Sequence, residues 1–207
     1  MNKKLNRLIH LVNTLEKIIY EPLYSQKYVD NNKAWDYVSY SFGHFLSHIE
    51  EAHQIVGKTK FLDVGCGIGS KTHLAGLFFD SYGIELNSDY HKVAKDVNVP
   101  RKFFKYGRYK NLKKKNRIFK KDALEFDYSP YGVIYFFRPL NEPSLQKKLE
   151  QQIFETAKPM TIIIPIYAES TFPNYIRHLP TPSGEIYMKI KDDERAEKVH
   201  NKIKSLF

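Results

Sequence analysis

Phe61-Leu62-Asp63-Val64-Gly65-Cys66-Gly67-Ile68-Gly69-Ser70-Lys71-Thr72-His73 decides how this chain is read. Lys60–Val64 is the first strand, and Phe61 and Leu62 read as its buried end. Three alternating glycines follow, as a chain needs where it turns sharply or brings backbone against a ligand. Ser70, Lys71, Thr72 and His73 then open a helix. The pattern is G-x-G-x-G behind an acidic residue. It is not the G-x-G-x-x-G of nicotinamide enzymes, because Ser70 stands at the sixth position.

Strand and helix signals alternate downstream. A helix is predicted over 70–79, a strand over Ser81–Glu85, and a helix over 88–97 capped by Asn87 or Ser88. Arg117–Lys120 reads as a short third strand and Gly132–Phe137 as a fourth. The fourth is a nearly continuous apolar run of the kind a parallel sheet needs. Ser144 is expected to cap a helix reaching about Ala157, after a break at Pro143. Thr161–Ile166 is the fifth strand. Tyr175–Leu179 and Glu185–Ile190 flank Pro180-Thr181-Pro182-Ser183-Gly184, which reads as a hairpin link. A charged helix over 192–205 ends the chain.

Upstream, Leu5, Leu8, Ile9, Val12, Leu15 and Ile19 recur at helical spacing, so 3–20 is predicted helical. Residues 33–56 form a second helical stretch, with Trp35, Val38, Phe42, Phe45, Leu46 and Ile49 as its buried stripe and Gly57 as its stop. The expected fold is α/β: a doubly wound, mostly parallel, seven-stranded Rossmann-like sheet with a C-terminal antiparallel hairpin and N-terminal helices. Residues 1–57 would be a helical segment packed on the core or closing over it, and 58–207 the main domain.

Composition narrows the setting. The 207 residues are 42% hydrophobic, with 15 Tyr and 14 Phe, so aromatic packing should dominate the core. No apolar run approaches the ~20 residues of a membrane span. Arg7, His10, Asn13 and Glu16 interrupt the N-terminal stretch that a lysine-led start would otherwise suggest as a leader. With Cys66 the single cysteine, no internal disulfide is possible, and the reading is a cytoplasmic protein. The net charge of +10 favours anionic partners, nucleic acid first. Residues 101–121 concentrate that charge: Arg101, Lys102, Lys105, Arg108, Lys110 and six more cations, with no acidic residue. Phe103, Phe104, Tyr106 and Tyr109 are interleaved, and cations with flat rings make a nucleic-acid surface. A solvated lysine-rich loop anchored by its aromatics has the same composition.

The glycine stretch resembles motif I of the class I S-adenosylmethionine-dependent methyltransferases, and the resemblance extends over about 58–192. It implies that Asp63 holds the loop and the methionine amino group. The turn from Gly65 through Cys66 and Gly67 to Gly69 would offer amides to the methionine carboxylate. Glu85, 20 residues after Gly65, would accept the ribose hydroxyls, with Leu86 beside it. Asp122-Ala123 resembles the family's adenine motif, with Leu124 or Phe126 over the ring and Tyr135 on the neighbouring strand. Alternatives for these residues are a generic strand–helix turn, a surface carboxylate and a turn cap. Cys66 reads as a small buried residue, and no metal is expected.

On the acceptor side the chain reads Phe137-Arg138-Pro139-Leu140-Asn141-Glu142-Pro143. Family members that methylate adenine or glutamine amines carry N/D-P-P-Y/F at this place, and this chain does not. Arg138 would hold an anionic group or form an ion pair with Glu142 or Asp122. Asn141 and Glu142 are the nearest groups able to take a proton or a hydrogen bond. Tyr37 and Tyr40 either line the acceptor channel or pack in the core, and Arg108 and Lys110 are the candidate substrate cations. The resemblance thus implies a methyltransferase whose acceptor is a nucleic acid, with RNA favoured. A protein lysine, a small molecule, or a non-catalytic binding subunit of the same fold are the alternatives.

Overall fold

In the computed structural model, the described residues are 40–96, 117–191 and, towards the C-terminus, 197, 199, 201 and 203–206. Helix α1, Phe42–Val56, places Phe42, Phe45, Leu46, Ile49 and Ala52 on one buried stripe. The Ser41 hydroxyl accepts the His44 N–H at 3.4 Å to cap its start. Gly57, in left-handed backbone at φ 67°, closes its end. Tyr40 and Ser41 are not helical, so the helix begins later than the expected 33; residues 33–39 and the helix expected over 3–20 lie outside the described residues.

Strands β1 (Lys60–Val64), β2 (Asp80–Glu85), β3 (Ile118–Lys120), β4 (Val133–Phe137) and β5 (Ile162–Ile166) follow. Between them lie α2 (Ser70–Ala75), α3 (Ser88–Asp96), a 3₁₀ turn at Ala123–Glu125 and α4 (Pro143–Thr156). Strands β6 (Ile176–His178) and β7 (Tyr187–Lys189) come last. The sheet has seven strands in the order β3-β2-β1-β4-β5-β7-β6. The first five are parallel to one another, while β7 runs antiparallel to both β5 and β6. This is the mostly parallel sheet with a terminal hairpin that the alternation of signals predicts.

Alternate residues of the strands feed two cores. Phe61, Val133, Tyr135, Ile162 and Ile164 face α1 and α2. Leu62, Val64, Ile134, Phe136 and Ile163 face α4. Both faces of β4 and β5 are covered, which is why these strands are continuous apolar runs. Pro165 is tolerated in β5 because β7 pairs it only at Ile162 and Ile163.

Three expectations change. Helix α2 ends at Ala75, short of 79, with Gly76 at its C-terminus. Pro143 is no break: it opens α4, where a proline loses no hydrogen bond. The N-cap position of α4 is accordingly Glu142 and not Ser144. Among the described residues, no helix is long and apolar enough to cross a membrane.

Candidate active site

Parallel strands bring their carboxyl ends to one edge of the sheet, and the sequence-predicted acids gather there. Asp63, one residue before the end of β1, is almost fully buried and opposite Tyr135 of β4. The Thr72 hydroxyl, on the first turns of α2, donates to Asp63 Oδ2 at 2.7 Å. Burial pushes the Asp63 carboxyl up to about 6, while the Lys71 ammonium and hydrogen bonds from Thr72 hold it down. Lys71 is itself buried, and its Nζ lies 5.7 Å from the Phe42 ring centre and 5.8 Å from that of Phe137.

The glycine turn is a left-handed device: Gly65, Gly67 and Gly69 have φ of 70°, 56° and 79°. A Cβ on Gly65 would stand 2.5 Å from Pro139 Cβ, so the turn presses on the loop after β4. The turn's amides are largely spent inside the protein. Gly65 and Cys66 both donate to the Ile84 carbonyl at 3.0 Å, and Gly69 donates to the Cys66 carbonyl at 2.9 Å. Gly67 donates to Glu85 Oε2 at 2.8 Å. Each of these four N–H groups, expected to face a carboxylate, has an acceptor inside the protein.

Glu85 therefore ties β2 to the turn. Its other oxygen, Oε1, accepts the Asn87 N–H at 2.8 Å. Burial raises its pKa, the amides of Asn87, Gly67 and Leu86 lower it, and the Asp63 charge raises it. A carboxylate has about four lone-pair sites, so two amides leave room for two further donors. Leu86 next to it is 52% exposed, an apolar side chain left in water at the edge of the site. Asn87 Oδ1 accepts from the Asp89 and Tyr90 amides and caps α3.

Asp122 caps the 3₁₀ turn through one carboxylate oxygen, the alternative named for it. Its Oδ1 accepts the Leu124 N–H at 2.8 Å. The Ala123 carbonyl accepts the Tyr128 hydroxyl at 2.7 Å. Cys66 is buried with its thiol pushed well up by desolvation first and by Asp63 and Glu85 second, which makes it a packing residue. Tyr135 is core: its ring meets Phe45 edge-on at 4.9 Å, while its buried hydroxyl lacks a partner among the described residues.

The acceptor-side residues part company. Arg138 pairs with Glu169 at 2.5 Å, a partner on another loop from the Glu142 and Asp122 expected. Glu142 is exposed and accepts the Ser144 hydroxyl at the start of α4. Asn141 keeps a buried Oδ1 without a partner among the described residues. Tyr40 sits half-buried at the same edge, 5.2 Å from the Phe137 ring. Burial, with help from Glu185 and Tyr167, pushes its hydroxyl up to about 12. Tyr37, Arg108 and Lys110 lie outside the described residues.

Sequence reasoning missed the supports behind these loops. Glu150 on α4 is fully buried and accepts Gln146 Nε2 at 2.7 Å, the Glu169 amide at 2.9 Å and the Ser170 amide at 2.6 Å. Gln146 Oε1 accepts the Leu140 amide at 3.2 Å. One helix thus fastens the loops after both β4 and β5. The signal was present: Gln146 and Glu150 fall on the same buried stripe as Leu149 and Ile153, and polar residues there need partners.

No protein-family model matches the chain, and no curated protein matches it. Solved structures do resemble it. An RNA methyltransferase from Salinibacter ruber, in complex with S-adenosyl-L-homocysteine, is 19% identical with a TM-score of 0.48, over 75% of this chain and 96% of that one. An S-adenosylmethionine-dependent methyltransferase from Clostridium acetobutylicum is 14% identical with a TM-score of 0.49, over 92% and 86%. The sugar N-methyltransferase KedS8 from a Streptoalloteichus species is 13% identical with a TM-score of 0.46, and this chain spans 58% of it. Those activities are those proteins' own.

Proposed function

We propose that this chain is an S-adenosylmethionine-dependent methyltransferase whose acceptor is a nucleic acid, RNA in preference to DNA. The observation that carries the reading is Glu85, whose carboxylate is locked to Gly67 of the glycine turn with Asp63 on one side and Asp122 on the other. Three acids thus close three adjacent parallel strands at the edge where such sheets take ligands.

The donor set fits the cofactor. Glu85 has lone pairs left for a ribose diol, and Asp63 is an anion suited to an ammonium group. Leu86 offers an apolar surface to a flat ring, and Asp122 a carboxylate to an exocyclic amine. When bound, the cofactor supplies an electrophilic methyl group on a sulfonium, for in-line displacement by the acceptor. The chain's own work is then orientation and exclusion of water. Asn141 Oδ1, without a partner among the described residues, would accept a hydrogen from an amine or hydroxyl and so aim it. Arg138, held by Glu169, brings positive charge to the same loop.

The nucleic-acid part of the reading is supported by the net charge of +10 and by residues 101–121, which hold eleven Lys or Arg and no acid. The test is transfer of a radiolabelled methyl group to separate pools of RNA, DNA and protein. Label in RNA supports the reading. Label in protein alone, or in none of them, overturns it.

A further inference from the structure

Two non-glycine residues in left-handed backbone stand at the site, and each is the first residue past a strand. Arg138, with φ 31°, follows β4; Tyr167, with φ 58°, follows β5. Such backbone is uphill for a residue with a Cβ and persists where its surroundings enforce it. The enforcement is visible. The Arg138–Glu169 ion pair joins the two loops, and buried Glu150 takes the amides of Glu169 and Ser170.

The result of this holding is an exposed ring. Tyr167 is 64% exposed, an unusual lot for a large side chain whose backbone is strained to hold it there. Its ring meets Phe137 at 5.6 Å and 63°, and Phe137 meets Tyr40 at 5.2 Å and 38°. Three rings therefore run in a row along the carboxyl edge of the sheet, with the Lys71 ammonium beside the middle one. Stability does not call for it: a buried Tyr167 would be worth more to the fold than an exposed one.

We propose that the exposed Tyr167 ring is the platform on which an unpaired base of the RNA acceptor stacks, with Phe137 and Tyr40 backing it edge-on and tilted. Aromatic rings hold bases of any sequence because every base has a flat face. The chain's +10 charge selects a polyanion as the carrier of that flat group. The role in catalysis rests on the methyltransferase reading above, whereas the binding itself is measurable without it.

The experiment is fluorescence anisotropy with a labelled, unstructured single-stranded RNA oligonucleotide, run beside calorimetry with S-adenosylhomocysteine on the same protein. Tyr167→Ala should weaken RNA binding about five- to a hundred-fold, and Tyr167→Phe should stay within about two-fold of the original. Both variants should bind S-adenosylhomocysteine as the unaltered protein does. No RNA binding by the unaltered protein, or equal binding by Tyr167→Ala, overturns the platform. If the RNA result holds and S-adenosylhomocysteine is not bound, the platform stands and the methyltransferase reading falls. The exposure of Tyr167 keeps the alanine variant folded, and circular dichroism verifies it.

Discussion

Replacing Gly65 by alanine tests whether the glycine turn is fixed by its contact with the loop after β4. At φ 70° a Cβ costs about 1–2 kcal/mol by itself. That Cβ would lie 2.5 Å from Pro139 Cβ, and the proline ring cannot swing aside. Overpacking of this kind adds about 1–3 kcal/mol, for a total of about 2–5 kcal/mol. Urea denaturation measures it as a fall in midpoint at constant slope. The discriminating step is the double variant with Pro139→Gly. Removing the opposing Cβ relieves the clash but not the backbone strain, so about 1–3 kcal/mol should return as a coupling energy. Pro139→Gly alone costs about 0.4–1 kcal/mol through the freer unfolded chain. Strictly additive effects of the two substitutions would refute the contact between the glycine turn and the loop after β4.

Asp63 should impose a pH dependence. Its carboxyl is raised from 3.8 to about 6, so the folded state favours the protonated form. That contribution is complete below about pH 4 and is lost as pH rises through about 6, by about 3 kcal/mol in all. Asp63→Asn should remove this loss, and denaturation curves at pH 4 and pH 7 should show it as the difference between the two proteins. Glu150→Gln turns an amide towards two backbone N–H donors and should cost about 1–3 kcal/mol. Hydrogen exchange should then rise first at residues 167–170, and exchange confined to other segments would count against the clamp. Arg138→Met breaks a pair that is about a quarter exposed on each side. It should lower stability by about 1–3 kcal/mol, because the mostly buried Glu169 carboxylate is left without its guanidinium. Its larger effect should fall on methyl transfer, as a raised KM for the acceptor.

Some features were legible in the sequence because one local rule decided each of them. The run of β4, Val-Ile-Tyr-Phe-Phe, could only be a strand covered on both faces, and the glycines at 65, 67 and 69 could only be a turn. Glu85 was legible through its distance from Gly65. What escaped was set by tertiary choices. Whether Pro143 stops or starts a helix depends on whether the preceding residue can take the cap position, and Glu142 does. The partner of Arg138 was sought among its sequence neighbours, but Glu169 reaches it across the sheet edge from another loop. Asp122 caps the turn at Leu124, an alternative the sequence had offered but could not rank by itself. Thr72 and Lys71 were read as a helix opening, and only the closure of α2 onto β1 showed that they govern Asp63. Glu150 was visible as a misplaced acid on an apolar stripe, yet its partners, 19 and 20 residues on, were not.

The most direct measurement is calorimetric titration of the purified protein with S-adenosylhomocysteine, repeated on Glu85→Ala. The unaltered protein should bind with micromolar affinity. In the variant it should fall by at least about a hundred-fold, since two hydrogen bonds to a charged acceptor are worth about 3 kcal/mol or more. Binding that survives in Glu85→Ala would contradict the placement of the ribose, and no binding by the folded, unaltered protein would contradict the methyltransferase reading itself.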